Sequence, residues 1–163
     1  MKVIFLDIDG VLNTSSTSNP RKLPYVVEKK LVRRLRKVAA ETKAKVVLIS
    51  SWRYDPAGLF SAKYHHIPFI GYVPDLPHRP RREEILRWLK SHPHVTRFAV
   101  LDDDDDELDD LPLFQPSSRE GLTAELARHL AAYLNGKTDE VARRNRLVRI
   151  AENVANAIAG HRG

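Results

Sequence analysis

Three observations predict an α/β fold built on a doubly wound parallel sheet. Three short apolar runs are continuous and not alternating: Val3-Ile4-Phe5-Leu6, Val46-Val47-Leu48-Ile49 and Phe98-Ala99-Val100-Leu101. Such strands are buried on both faces, as happens when helices cover the two sides of a parallel sheet. Each run empties into a polar residue, Asp7, Ser50 and Asp102 in turn, and helical patterns lie between the runs. That alternation of strand and helix is the mark of βαβ units.

Taken in order, the first run is followed by a polar loop. A helix comes next, with Val27, Leu31, Leu35, Val38 and Ala39 on one side and Lys29, Lys30, Arg33, Arg34, Arg36 and Lys37 on the other. After the second run, Ile67 to Val73 is a candidate strand in which Pro68 and Gly71 are unfavourable. Ile85, Leu86, Trp88 and Leu89 predict a helix closed by Ser91-His92-Pro93, and the third run follows it. Leu111 to Gly121 reads as a Pro/Ser-containing connection, and Leu122 to Leu134 as a helix entered through Thr123 and stopped by Asn135-Gly136. A last helix is expected from about Asp139 to Ala159, with Leu147, Ile150, Ala151, Val154 and Ile158 as its apolar stripe. The expected organisation is a single domain, with residues 1–122 as the core and residues 123–163 as C-terminal helices packed on it or extending it. At 163 residues and 42% apolar content the chain can build such a core without cross-links.

Composition excludes some chemistry. There is no cysteine, so disulfides, thiolate metal sites and thiol catalysis are ruled out. The apolar run after Met1-Lys2 is too short for a signal sequence and no stretch reaches membrane-spanning length, so a soluble, cytoplasmic protein without membrane contact is expected. A formal charge of +6, concentrated in the first helix and in Arg143, Arg144, Arg146 and Arg149, would attract a polyanion, although solvated helix faces carry such clusters too. Composition says nothing about oligomeric state.

In open α/β sheets the ligand sits beyond the carboxyl ends of the strands. The three runs bring Asp7, Ser50 and Asp102 to that edge. Singly, Asp7-Ile8-Asp9-Gly10 is an acidic turn, Ser50-Ser51 a helix cap and the aspartate run from Asp102 a solvated loop. Together, at the ends of three successive apolar runs, they are much less ordinary. Asp104, Asp105 and Asp106 are read as solvated or supporting. His65, His66, His78, His92 and His94 lack metal-ligand spacing and are read as ordinary surface residues.

Asp7-Ile8-Asp9-Gly10-Val11-Leu12-Asn13 after an apolar strand resembles the first motif of the haloacid dehalogenase-like superfamily, D-x-D-G-x-hydrophobic. Ser50 matches the second motif, Leu101-Asp102-Asp103 the paired-acid fourth, and Arg81 in Pro80-Arg81-Arg82-Glu83-Glu84-Ile85 the third. Ser51 and Arg82 are the adjacent alternatives. The resemblance runs from residue 1 to about Thr123 and implies a Rossmann-like core with phosphatase or phosphotransferase activity. Within the superfamily, Ile49-Ser50-Ser51-Trp52-Arg53 and the aspartate run resemble a bacterial and phage subgroup that includes the phosphatase-type domains of RNA-repair proteins.

The resemblance implies that Asp7 is the nucleophile that becomes phosphorylated and Asp9 the general acid/base. It implies Mg2+ held by the Asp7 side chain, the Asp9 carbonyl and a carboxylate from Asp102 or Asp103. Ser50 would bind a non-bridging phosphate oxygen, and Arg81 would balance the charge of the transferring group.

Neither interval in which this superfamily inserts a cap domain has room for one, so a capless core is expected, with Thr14 to Pro24 and Trp52 to Tyr64 as flanking loops. An open site admits the end of a polymer, and the positive charge then favours a terminal phosphate on RNA or DNA. Trp52, Arg53 and Tyr54 are placed to stack a base and clamp a phosphate; the alternative for Trp52 is filling space under the loop. Other substrates for the same chemistry are a nucleotide, a sugar phosphate or a phosphoprotein. A non-catalytic nucleic-acid or protein binding module is the reading from another class, and retention of both Asp7 and Asp9 argues against it.

Overall fold

The computed structural model describes residues 1–105 and 107–137. Five parallel strands form one sheet: β1 (Lys2–Leu6), β2 (Lys45–Leu48), β3 (Phe69–Tyr72), β4 (Arg97–Leu101) and β5 (Leu113–Phe114) in the order β3-β2-β1-β4-β5. Among the described residues, four α-helices connect or flank them: α1 (Lys29–Thr42), α2 (Pro56–Tyr64), α3 (Arg81–Lys90) and α4 (Ala124–Leu134). The expected α/β parallel fold is the observed one. The C-terminal helix expected near residues 139–159, its basic cluster and Asp106 lie outside the described residues.

The continuous apolar runs are explained by the two layers they serve. Side chains alternate along a strand, so Ile4 and Leu6 of β1 join Val46, Leu48, Ala99 and Leu101 on one face, packed against Leu31, Leu35 and Val38 of α1 and Leu130 and Leu134 of α4. Val3 and Phe5 point the other way and join Val47, Ile49 and Val100 beneath Ile85 and Trp88 of α3. Phe5 meets Trp88 edge-on, with ring centroids 5.4 Å apart. Each fully buried side chain of this kind contributes about 1.5–3 kcal/mol. A polar substitution on either face of β1 would therefore be buried.

Two elements differ from expectation. Residues 52–64 were expected as a flanking loop, but Ser51–Tyr54 form a 3-10 turn that leads directly into α2. Asp55 caps that helix, its carboxylate accepting from the Ala57 amide at 2.8 Å, and Pro56 occupies the first helical position. Within the 111–121 connection, Leu113–Phe114 pair with β4 as a two-residue edge strand. The candidate strand at 67–73 is present as the opposite edge, shortened to Phe69–Tyr72 and irregular between Val46 and Val47 of its partner. No cap domain interrupts the core: residues 7–28 and 73–80 contain neither helix nor strand.

Candidate active site

Sheet register brings the functional residues to one edge. β1 is central, paired Leu6 to Leu48 on one side and Leu6 to Leu101 on the other. The ladder runs one residue past the strands, Asp7 N donating to Leu101 O and Ile49 N to Leu6 O, each at 2.9 Å. Asp7, Ser50 and Asp102 therefore leave adjacent strand tips together, and all three are buried.

Asp7, Asp102 and Asp103 each present a carboxylate oxygen within 4.8 Å of the others. Arg81, at the first position of α3, reaches into this cluster: Nη1 donates to Asp102 Oδ2 and lies 3.7 Å from Asp7 Oδ1. Burial, then the charge of Asp102, pushes the Asp7 carboxyl up to about 7, against the pull of Arg81. Asp102 and Asp103 are also raised, in both cases chiefly by burial; Arg81 works against the shift at Asp102 while Asp102 adds to it at Asp103. Three carboxyls crowded where charge is disfavoured are suited to a small divalent cation, which would favour the ionised form of each. Gly10 makes room for the cluster. Its φ is +70°, and a Cβ there would lie 2.0 Å from Asp103 Oδ2.

Asp9 sits on the exposed lip of the loop. Asn13 Nδ2 donates to its Oδ1 at 2.7 Å, and Trp52 Nε1 to its Oδ2 at 2.9 Å. Asn13 is itself fixed, its Oδ1 accepting from the Gly10 amide at 2.9 Å and its Nδ2 also donating to Val26 O at 3.0 Å. Ser50 is fully buried at the tip of β2, and its Oγ accepts from the Trp52 amide at 3.4 Å, so it also caps the 3-10 turn.

With this geometry in place, residues 3–127 match the family model for the HAD domain in Swiss Army Knife RNA repair proteins. The chain belongs to that HAD domain family. No curated protein and no solved structure matches it.

Within this HAD domain, the residues expected to touch substrate divide sharply. Arg81, and not Arg82, faces the carboxylates: Arg82 is turned to Asp110, its Nε and Nη2 donating to that carboxylate at 2.9 Å and 2.6 Å. Ser51 is exposed beside the buried Ser50. Trp52 and Arg53 require correction. Trp52 is only 3% exposed, its ring meeting Tyr25 edge-on at 4.9 Å, so no face is left for a base to stack on. Arg53 is 8% exposed and turned inward, its guanidinium donating to Ile49 O, to Ser50 O at 3.0 Å and to the buried Glu84 of α3. It therefore cannot clamp an external phosphate from this position.

The same contacts give individual roles to residues to which the sequence reading assigned none. Asn13 orients Asp9, Gly10 admits Asp103, and Glu84 ties α3 to the turn after β2, also accepting from the Leu76 amide at 3.2 Å. Asp55-Pro56 is a helix-start signal, and a helix starting there forces residues 51–54 into a tight turn that folds Trp52 and Arg53 inward.

Proposed function

We propose that this HAD domain is a magnesium-dependent phosphohydrolase that removes terminal phosphates from nucleic acid through an aspartyl-phosphate on Asp7. The observation that carries the proposal is the set of buried Asp7 and Asp102 with half-buried Asp103, their carboxylate oxygens within 4.8 Å, with Arg81 across it and Asp9 two residues beyond the nucleophile. Asp7, the Asp9 carbonyl and one or both of Asp102 and Asp103 would hold the cation. Magnesium, when bound, supplies positive charge that offsets repulsion between the attacking carboxylate and the phosphate.

In the first step an Asp7 carboxylate oxygen forms a bond to phosphorus while the bond to the leaving oxygen breaks, and Asp9 gives that oxygen a proton. In the second, a water oxygen bonds to phosphorus as Asp9 takes one of its protons, the Asp7–phosphorus bond breaks, and inorganic phosphate departs. Arg81 and Ser50 stabilise the charge on the transferring group from opposite sides of β1.

The polymer end as substrate is supported by three features. Among the described residues, no cap domain is inserted between β1 and α1 or between β3 and α3. The exposed side of α1 carries Lys29, Lys30, Arg33, Arg36 and Lys37, and it begins close to the loop that holds Asp9, through the Asn13 bond to Val26 O. The matched family is described by RNA repair. Phosphate release from 3′- or 5′-phosphorylated oligonucleotides should exceed, in kcat/KM, that from a panel of nucleotides and sugar phosphates, in each case requiring magnesium. Equal rates across the panel would refute the substrate, and turnover without any metal would refute the mechanism.

A further inference from the structure

We propose that Trp52 is a positioning residue for the acid/base carboxylate of Asp9, braced from behind by Tyr25 and Asp55; this rests on the phosphohydrolase reading above. The two oxygens of Asp9 are held from different elements. Trp52 Nε1, in the turn after β2, donates to Oδ2 at 2.9 Å, and Asn13 Nδ2, in the loop after β1, donates to Oδ1 at 2.7 Å. An exposed aspartate otherwise samples several rotamers, whereas two donors on opposite sides of the carboxylate select one.

The support does not end at the indole. Tyr25 packs edge-on against the Trp52 ring, with centroids 4.9 Å apart and planes at 63°. Its hydroxyl donates to Asp55 Oδ2 at 2.5 Å, and Asp55 Oδ1 accepts from the Ala57 amide at 2.8 Å as the cap of α2. The chain of contacts thus runs from the first turn of a helix, through two aromatic rings, to the group that moves the proton. A buried indole N–H takes whatever acceptor is near. Here the acceptor is the carboxylate two residues after the nucleophile, and its second oxygen is held independently.

The hydrogen bonds leave the chemistry possible. Each carboxylate oxygen has two lone-pair directions, so one bond per oxygen leaves a direction free for the proton that Asp9 gives to the leaving oxygen as its bond to phosphorus breaks. Trp52 is buried and reaches the site through its bond to Asp9, so its proposed action is on that carboxylate and not on the substrate. Its contribution is to aim Asp9 at the leaving oxygen in the first step and at water in the second.

A leaving-group comparison tests this. The parameter kcat/KM reports events up to departure of the leaving group, which an alkoxide makes only with a proton and 4-nitrophenolate makes without one. Trp52→Phe keeps an aromatic ring beside Tyr25 and removes the N–H, at the cost of part of the buried indole volume. In the presence of magnesium, the ratio of kcat/KM for glycerol 2-phosphate to that for 4-nitrophenyl phosphate should fall about tenfold, part of the roughly 10²–10⁴ that general acid catalysis supplies. Tyr25→Phe, which cuts only the bond to Asp55, should lower the same ratio about threefold, a fraction of that general-acid contribution. Equal losses on both substrates, or an unchanged ratio, would overturn the proposal. Should thermal unfolding show that Trp52→Phe does not fold, the Tyr25→Phe ratio decides alone, an unchanged value overturning it. Absence of turnover by the wild-type domain on both substrates would remove the phosphohydrolase reading itself, and this one with it.

Discussion

Asp7 is held where its ionised form is opposed by burial and by Asp102, Asp9 and Asp103, and favoured by Arg81. Between the ordinary value of 3.8 and about 7, the folded domain keeps a proton on Asp7 that the unfolded chain has lost. Folding stability from this group is therefore greatest at low pH and declines as pH rises through that window. Asp7→Asn removes the titration, so in magnesium-free buffer it should raise Tm relative to wild type at pH 8, with the gap closing near pH 4. A gap of the same size at both pH values would show that Asp7 does not carry the penalty. Gly10 yields a second expectation at this scale. Gly10→Ala combines a φ of +70° with a Cβ placed 2.0 Å from the Asp103 carboxylate, so the acid must retreat. The magnesium concentration for half-maximal activity should rise about tenfold, the scale on which disturbing the surroundings of a metal ligand acts. An unchanged metal requirement would remove Asp103 from the cation site. The placement of Asp7, Ser50 and Asp102 at neighbouring strand tips was legible in the sequence because buried strands must end in something, and polar residues at successive tips stand out. The inward turn of Trp52 and Arg53 was not, since an aromatic and a base beside a phosphate motif look the same whether they face ligand or core.

Among the elements, the link between the turn after β2 and α3 organises the site. Arg53 and Glu84 form a buried ion pair, with side chains each 4% exposed. Arg53 also holds the Ile49 and Ser50 carbonyls, so the pair connects the strand tip bearing Ser50 to the helix whose first residue is Arg81. Removing one partner strands the other as an unpaired buried charge, a loss of about 3–5 kcal/mol. Denaturant unfolding of Glu84→Ala and Arg53→Ala should each show a loss of that order, and the double variant should lose clearly less than the sum. Strict additivity would mean that the two side chains do not act as a pair. Elements were legible in proportion to their length and periodicity. α1 declared itself by an apolar stripe opposite six bases. α2 did not, because Ala57, Gly58, Leu59, Phe60 and Ala62 spread apolar surface around the helix, and Phe60 is left 70% exposed. β5 is two residues long and is defined by pairing with β4, a tertiary fact that no local pattern contains.

For the whole molecule, the parallel order β3-β2-β1-β4-β5 places β1 at the centre, and so the first-motif carboxylates lie between Ser50 and Asp102. No helix among the described residues is long and apolar enough to cross a membrane. The exposed bases of α1 form a positive flank whose N-terminal end lies near the loop that holds Asp9. Lys30 is paired with Glu28 and Lys37 with Glu41, while Lys29, Arg33 and Arg36 make no ion pair among the described residues. Reversing those three charges together should depress kcat/KM on a phosphorylated oligonucleotide far more than on an aryl phosphate. It should also flatten the dependence of log(kcat/KM) on log salt by about 2, the value expected when three phosphate contacts to a single strand are lost. An unchanged slope would exclude this flank from substrate binding. The central claim is that neighbouring strand tips gather Asp7, Asp102 and Asp103 around one cation and aim Asp7 at phosphorus. Acid quenching during turnover, followed by peptide mass spectrometry, tests it most directly. A phosphoryl group on the peptide containing Asp7, formed with magnesium and absent both without it and in Asp7→Asn, is the predicted result. Phosphate release that persists in Asp7→Asn, or an adduct on another residue, would contradict it.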